Sequence, residues 1–245
     1  ITCRDWSSDV CSSDLNMKPD DVSESIEAFV KQIRQSQIIA IPGGFSAGDE
    51  PEGSGKFIAS VFRNPRIAEA VMDLLKNRDG LMLGICNGFQ ALVKLGLLPY
   101  GEIRELDETS PTLTFNKIGR HVARMADVRI ASTNSPWLVD RKVGEIYKTA
   151  FSHGEGRFYS DNETIQRLAN QGQIATQYVD EKGFATYDGR YNINGSVQAI
   201  EGIFSPDGRV FGKMGHVERV GKNLYKNIDG NLDMDIFTSG VNYFK

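Results

Sequence analysis

The sequence predicts an α/β protein built on a doubly wound, mostly parallel β-sheet, with a small antiparallel section. The first observation is that helix and strand patterns alternate along residues 19–97. The second is that two stretches, residues 38–41 and 81–85, are short, uninterrupted apolar runs, which are typical of parallel strands buried on both faces. The third is that a glycine-rich turn follows each run, at the end of the strand where open α/β sheets place their ligand sites.

The helices of the first half follow from apolar spacing. Side chains from Val22 to Ile33 recur every three or four residues, behind Pro19 and two acidic residues, so we expect one helix that ends near Ser36. Residues 57–78 read as one or two helices with a break at Asn64–Pro65.

The second half changes character, because strands of alternating polarity replace the long helices. We expect a polar loop at 152–158, a helix at 161–170 and a closing helix in the tail. The predicted strands lie within 112–132 and 145–152, and at 173–180, 183–187, 197–204 and 210–214.

The first residues differ from everything that follows. Residues 1–15 hold two near-copies of Ser-Ser-Asp followed by an apolar residue, and they lack the basic and apolar regions of a secretory signal. We expect residues 1–16 to be a leader foreign to the domain, with a disordered native tail as the alternative. Residues 17–245 would then form one domain.

Composition excludes several classes of partner and site. The formal net charge of −4 gives no indication of binding to nucleic acid or to an anionic membrane, and no apolar run is long enough to span a bilayer. The three cysteines are Cys3, Cys11 and Cys86, a sparse set that favours a reducing compartment, the cytoplasm. We expect no metal site, because no Cys and His cluster has zinc-ligand spacing.

The strongest motif is Gly-x-Cys-x-Gly at residues 84–88, between a predicted strand and a predicted helix. This arrangement is that of a nucleophile elbow, in which a strained corner exposes a reactive side chain. The helix N-terminus would favour the thiolate of Cys86. His216 lies just after a predicted strand, and Glu218 follows it two residues further on, which gives the thiol a candidate base and a residue to orient it. We expect His121 to be structural or exposed to solvent.

Six motifs in this order resemble those of the class I glutamine amidotransferases, and within them the glutaminase domain of phosphoribosylformylglycinamidine synthase. The resemblance covers about residues 17–245 and implies a flavodoxin-like sheet. The motifs are PGGFS with GD at 42–49, GICNGFQ at 84–90, SHGEGR at 152–157, Asn192 with NGS at 194–196, SPDGR at 205–209 and HVER at 216–219.

The resemblance implies a role for each matching residue. Cys86 attacks the carboxamide carbon of L-glutamine, His216 transfers protons, and Glu218 orients His216. Backbone N–H groups of an oxyanion hole, and contacts to the substrate, are implied for a further set. The oxyanion hole would comprise Gly44, Phe45 and Asn87, and the substrate-binding residues would be Gly43, Gln90, His153, Glu155 and Arg157.

The ammonia released would serve a synthetase module or subunit that makes formylglycinamidine ribonucleotide in purine biosynthesis. The resemblance implies no cofactor in this chain, and ATP and Mg²⁺ on the synthetase. The resemblance implies a first strand and helix before residue 17 that have no counterpart in this sequence. We therefore expect the chain to be the C-terminal part of a long fused enzyme, truncated upstream so that its first strand and helix are missing.

Two other classes of function remain open from the sequence. One is a hydrolase with the same fold and the same cysteine elbow but no ammonia transfer. The other is a non-catalytic domain that docks onto a partner. Within the family, a different synthetase partner is also possible, and the loop at residues 152–157 argues against it.

Overall fold

The computed structural model describes residues 19–44 and 54–245. Phe45 and the remainder of the segment up to residue 53, like residues 1–18, lie outside the described part of the chain. Helices and strands alternate through the first half, as the apolar spacing predicts. They are α1 (Pro19–Gln35), β1 (Ile38–Ile41), α2 (Lys56–Phe62), α3 (Pro65–Lys76), β2 (Leu81–Ile85), α4 (Asn87–Leu95) and the single turn α5 (Leu97–Tyr100).

Strands dominate the second half, where two short 3₁₀ turns, Pro136–Leu138 and Val197–Ala199, lie between them. The elements are β3 (Thr112–Phe115), β4 (Val122–Ile130), β5 (Ile146–His153), β6 (Glu155–Tyr159), α6 (Asn162–Asn170), β7 (Ile174–Tyr178), β8 (Ile200–Phe204), β9 (Val210–Lys213) and α7 (Ile236–Asn242).

Seven strands form one mixed sheet in the order β1-β2-β9-β8-β7-β4-β5, and β3 pairs with β6 in a small antiparallel sheet. The pairings β1–β2 and β2–β9 are parallel, whereas the pairings from β9 to β5 are antiparallel. The predicted α/β class is therefore confirmed. Because β1, β2 and β9 run the same way, the segments that follow them leave the sheet at one edge. Those segments carry Gly43, Cys86 and His216.

Capping residues explain where two helices begin. The Asn64 side chain accepts a hydrogen bond from the N–H of Arg66 at 3.1 Å, and Pro65 occupies the first helical position, where its missing N–H costs nothing. The break predicted at Asn64–Pro65 is therefore confirmed. Asp161 caps α6 in the same way, accepting from the N–H of Thr164 at 2.7 Å.

The helix that follows the elbow is buried on nearly every side. All residues of α4 except Lys94 are buried, since α4 packs against β1, β2 and β9 on one side and is covered by α2 and β3. This placement fixes the start of α4, and with it Cys86, inside the core. Among the described residues, no helix is long and apolar enough to cross a membrane.

Two local predictions were wrong. The polar loop expected at residues 152–158 is instead the end of β5 and most of β6, which pairs with β3 from Thr112 opposite Tyr159 to Phe115 opposite Glu155. The strand expected at residues 183–187 contributes a single bridge, Val179 with Ala185. At residues 152–158 the outcome is decided by the partner strand β3, which lies about 40 residues upstream in the sequence, whereas Ala185 pairs only with the nearby Val179.

Candidate active site

The corner between β2 and α4 has the strained geometry of a nucleophile elbow. Cys86 has φ 52° and ψ −106°, a backbone conformation that non-glycine residues rarely adopt. The glycines on either side leave the necessary space: a Cβ on Gly84 would lie 2.6 Å from Leu92 Cδ1, and a Cβ on Gly88 would lie 2.1 Å from the Ile41 carbonyl oxygen. The corner predicted from Gly-x-Cys-x-Gly is therefore present.

The strands beside the corner hold Cys86 in place. Its N–H donates to the Lys213 carbonyl on β9 at 2.8 Å, which extends the parallel pairing of Ile85 with Lys213 by one residue. The thiol makes a weak contact of 3.9 Å with the Ser152 carbonyl on β5. Only 5% of Cys86 is exposed.

His216 and Glu218, which the sequence predicts to act as base and orienting residue, lie within hydrogen-bond distance of each other. The Nδ1 atom of His216 lies 2.5 Å from Oε1 of Glu218, and the backbone N–H of His216 donates to the Ala150 carbonyl at 2.9 Å. With Nδ1–H donated to the carboxylate, Nε2 carries a lone pair. Nε2 is buried and has no hydrogen-bond partner among the described residues, which is the state required of a waiting general base.

The charge on Glu218 suits its place beside the imidazole. Burial raises the pKa of Glu218, but the hydrogen bond from His216 and the charge of that ring lower it more, so the pKa lies below its usual value. The side chain is 29% exposed and stays ionised near neutral pH. An ionised Glu218 stabilises the imidazolium that forms when His216 takes up a proton.

Gly43 is the point at which the nucleophile and the base meet. A Cβ placed on Gly43 would lie 2.4 Å from His216 Cε1 and 3.2 Å from Cys86 Cβ. Both side chains therefore pack against the backbone that leaves β1, and no side chain larger than hydrogen fits there. The structure brings together Cys86, His216 and Glu218, the three residues that the sequence singled out.

The described part of the predicted oxyanion hole lies next to this meeting point. A Cβ on Gly44 would meet no atom of the described residues within 4 Å. Asn87 is the first residue of α4, and the first-turn N–H groups of a helix have no acceptor within that helix. Phe45 lies outside the described residues.

His153 is buried and uncharged. The Asn116 amide group donates to the carbonyls of His153 and Arg120 at 2.8 and 3.0 Å, so its oxygen accepts from Nδ1 of His153 at 3.1 Å. Burial, followed by the charges of His121 and His216, lowers the pKa of His153 to about 3. The remaining ring atom, Nε2, is a buried acceptor without a partner among the described residues.

Glu155 and Gln90 connect the first turn of α4 to β6. The Gln90 side-chain amide donates to the Glu155 carbonyl and its oxygen accepts from Asn87 Nδ2 at 3.3 Å. The Glu155 carboxylate accepts from the N–H of Ser54 at 3.1 Å through Oε2, whereas Oε1 is buried without a partner in the part of the chain that the structure describes. The described contact of Arg157 is with the Tyr159 ring, 5.9 Å from its centroid, so its link to the site rests on the resemblance.

Several residues that shape this site belong to no motif and were not predicted from the sequence. Asn116, which fixes the His153 ring, directly follows the short strand β3 and belongs to no motif. Ser54, which meets Glu155, lies in a polar stretch with no motif. His121 is exposed and close to Ser152, with Nε2 3.1 Å from its hydroxyl, in agreement with the expectation of a structural or solvent-facing histidine.

Comparison with known proteins identifies the family. Residues 7–244 match the family model described as the CobB/CobQ-like glutamine amidotransferase domain. The chain belongs to this family. The resemblance to the glutamine amidotransferases inferred from the motifs is confirmed.

Named relatives of this amidotransferase are similar over most of their length. The phosphoribosylformylglycinamidine synthase subunit PurQ of Aquifex aeolicus is 30% identical over 224 residues, covering 90% of each chain. The PurQ subunit of Chlorobaculum tepidum is 37% identical over 194 residues, covering 78% of this chain and 74% of that protein. A solved structure of PurLQS from Thermotoga maritima matches with a TM-score of 0.63 and 27% identity, covering 85% of this chain and 80% of the other.

Proposed function

We propose that this amidotransferase is the glutaminase of a phosphoribosylformylglycinamidine synthase in the purine pathway. It hydrolyses L-glutamine and passes the ammonia to a synthetase that makes formylglycinamidine ribonucleotide. The observation that carries the proposal is the meeting of Cys86, His216 and Glu218 at Gly43. The chain also shares 30% and 37% identity with two proteins named as the PurQ subunit of that enzyme.

The first half of the reaction forms a thioester. His216 Nε2 accepts the proton of the Cys86 thiol, and the sulfur attacks the carboxamide carbon of glutamine. Backbone N–H groups of Gly44, Phe45 and Asn87 donate to the oxygen that becomes negative. His216 then gives its proton to the leaving nitrogen, the C–N bond breaks, ammonia departs, and a γ-glutamyl thioester remains on Cys86.

The second half regenerates the thiol. His216 Nε2 accepts a proton from a water molecule, whose oxygen attacks the thioester carbon. The C–S bond breaks, the sulfur recovers the proton from His216, and glutamate leaves. Glu218 remains ionised throughout, because its function is to hold Nδ1–H and to stabilise the imidazolium in both halves.

Recognition of glutamine is assigned to Gly43, Gln90, His153, Glu155 and Arg157. Support comes from two buried acceptors without partners among the described residues, Glu155 Oε1 and His153 Nε2. Buried polar atoms of this kind are costly unless a ligand satisfies them, and the α-ammonium of glutamine supplies three donors. Arg157 is included because of the family resemblance.

The synthetase partner would bind ATP and Mg²⁺, and this chain would need no cofactor of its own. The Thermotoga maritima PurLQS structure supports an assembly of this kind. We place both proteins in the cytoplasm. As in related glutaminases, we expect the isolated chain to hydrolyse glutamine slowly until its partner binds.

The test compares two nitrogen sources. The wild-type chain and Cys86→Ala are each combined with the synthetase, and formylglycinamidine ribonucleotide is measured with glutamine or with ammonium chloride. We expect Cys86→Ala to lose the glutamine-dependent reaction by four or more orders of magnitude and to keep the ammonia-dependent one. Equal use of glutamine by both chains would overturn the proposal.

A labelling experiment separates the proposal from its rivals. The glutamine analogue 6-diazo-5-oxonorleucine is expected to alkylate Cys86 in the wild-type chain, with glutamine protecting it. A cysteine hydrolase with another substrate would not be protected by glutamine. A docking domain without catalysis would not be alkylated at a rate above that of a free thiol.

A further inference from the structure

A buried ion pair contacts the backbone of the segment that carries His216. Lys213 Nζ is 3.1 Å from Glu201 Oε1, and both side chains are fully inaccessible to solvent. Among the described residues, no other ion pair has both partners buried in this way. Taking two charges out of water costs about as much as their attraction returns, so stability alone does not account for such a pair.

The pair holds both polar groups of one glycine. Glu201 Oε1 accepts from the N–H of Gly215 at 2.6 Å, and Lys213 Nζ donates to the carbonyl of Gly215 at 3.3 Å. Glu201 is fixed in turn by a hydrogen bond from the Thr176 hydroxyl to Oε2. A Cβ on Gly215 would lie 2.9 Å from Lys213 Nζ and 3.0 Å from Glu201 Oε1, so the two charged groups touch this backbone directly.

Gly215 immediately precedes His216, so the clamp acts on the base. The peptide group between them is held at its carbonyl by Lys213 and at its N–H by Ala150. Lys213 also reaches the nucleophile, because its own carbonyl accepts from the N–H of Cys86 at 2.8 Å. Lys213 therefore holds the backbone of Cys86 through its carbonyl, and it holds the backbone before His216 through its side chain.

We infer that Lys213 and Glu201 are positioning residues that fix the Gly215–His216 backbone and aim His216 Nε2 at Cys86. The inference rests on the proposed glutaminase function for its kinetic part only. Neither side chain touches the substrate. Their effect is on alignment, and a shift of about 1 Å in a catalytic group is sufficient to reduce a rate by about 10²-fold.

The test uses Lys213→Met and the double variant Lys213→Met/Glu201→Gln. The double variant is neutral and of similar volume, and the glutamine oxygen still accepts from Gly215, so folding is preserved better than in the single variant. The matched control is Lys148→Met, which removes a lysine that is 26% exposed and paired with Asp127 at 2.6 Å, and whose side chain has no described contact with Cys86, His216 or Glu218.

Two readouts are measured. The first is kcat and KM for glutamine hydrolysis by the chain with its synthetase partner. The second is the low-field proton NMR resonance of the short hydrogen bond from His216 Nδ1 to Glu218, which reports the position of His216 without any turnover. Thermal melting of each variant provides the measure of stability.

We expect both Lys213 variants to lower kcat by about 10²-fold with KM nearly unchanged, and to shift or lose the resonance. The double variant should melt close to the wild-type temperature, and Lys148→Met should match the wild type in both readouts. If the double variant regains both kcat and the resonance, the pair only balances charge and the inference is overturned. A double variant that does not fold overturns it as well, because the pair would then be a requirement for folding.

Failure of the proposed function would be recognised separately. A wild-type chain that shows the resonance but hydrolyses no glutamine with its partner contradicts the glutaminase function. The resonance in the Lys213 variants still decides whether the pair positions His216.

Discussion

The segments that carry Cys86 and His216 leave neighbouring strands at the same edge of the sheet. Most of the residues that fix Cys86 are close to it in the sequence, whereas most of those that fix His216 are far from it. Cys86 is held by a strained φ of 52° and by glycines two residues away on each side. His216 is held by Ala150, by Glu218 and, through Gly215, by Glu201. The strained corner at Cys86 is thus encoded in five consecutive residues, although β9 also holds its N–H. The backbone of His216, in contrast, depends mainly on strands that folding brings together.

The two segments meet at Gly43, on a third strand. This contact explains why the motif around Gly43 belongs to the site even though its side chain has no chemistry. Changes in the elbow are therefore expected to alter the reactivity of Cys86 directly, whereas changes around His216 act on its alignment. Four predictions test this difference.

The largest effect is expected where the two segments meet. Gly43→Ala places a methyl group 2.4 Å from His216 Cε1, so the ring, Cys86 or β1 must move. We expect kcat to fall at least about 10²-fold. The matched control is Gly189→Ala, because a Cβ on Gly189 meets no atom within 4 Å in the part of the chain that the structure describes. Wild-type kcat in Gly43→Ala would show that the two side chains do not need their present contact.

The next effect concerns the pH dependence of stability and the buried His153. His153 is neutral in the folded protein down to about pH 3, whereas in the unfolded chain it binds a proton below its usual pKa of 6.5. The unfolded state therefore holds more protons between these values, and stability that is fully present above pH 6.5 is lost as the pH falls. The loss for this group is about 1.4 kcal/mol per pH unit.

Urea unfolding of the wild type and of His153→Gln at a series of pH values measures the contribution of His153 to the free energy of unfolding. We expect the free energy of unfolding of the wild type to fall more steeply below pH 6.5 than that of the variant. Parallel curves would mean that His153 is not held in its neutral form by the fold.

A smaller effect is expected for Glu218→Gln. The amide keeps an acceptor for His216 Nδ1 but removes the charge that stabilises the imidazolium. Because Glu218 is 29% exposed, water screens part of that charge, and we expect kcat to fall about tenfold with little change in KM. Glu145→Gln is the control, since Glu145 accepts from the Tyr147 hydroxyl at 2.8 Å and has no described contact with the catalytic residues. An unchanged kcat would remove Glu218 from the mechanism.

The smallest effect isolates the strain in the elbow. Cys86→Gly and Cys86→Ala both remove the thiol, but only glycine adopts φ 52° and ψ −106° without steric cost. We expect the glycine variant to be more stable than the alanine variant by about 1 kcal/mol in urea unfolding. Equal stability, or a more stable alanine variant, would show that the corner is relaxed.

Residues 152–158 show where prediction from sequence reaches its limit. Their glycines and polar side chains are typical of a loop, and yet β6 forms there because β3 supplies an antiparallel partner about 40 residues upstream in the chain. The same pairing carries Glu155 to the first turn of α4, where its carbonyl accepts from Gln90. Residues 183–187 have a strand-like pattern but only a single bridge, so a favourable local pattern is insufficient without a neighbour.

The sequence by itself determined the α/β class, the strands β1 and β2, the elbow at Cys86 and the pairing of His216 with Glu218. These features depend on apolar spacing and on residues no more than a few positions apart. Only the tertiary structure decided that Gly43 lies between Cys86 and His216, that Asn116 fixes His153, and that Lys213 and Glu201 clamp Gly215. These contacts bring together residues from different strands. They form only when the whole core is buried, because the free energy gained by burial depends on the packing of all the strands and not on any local stretch.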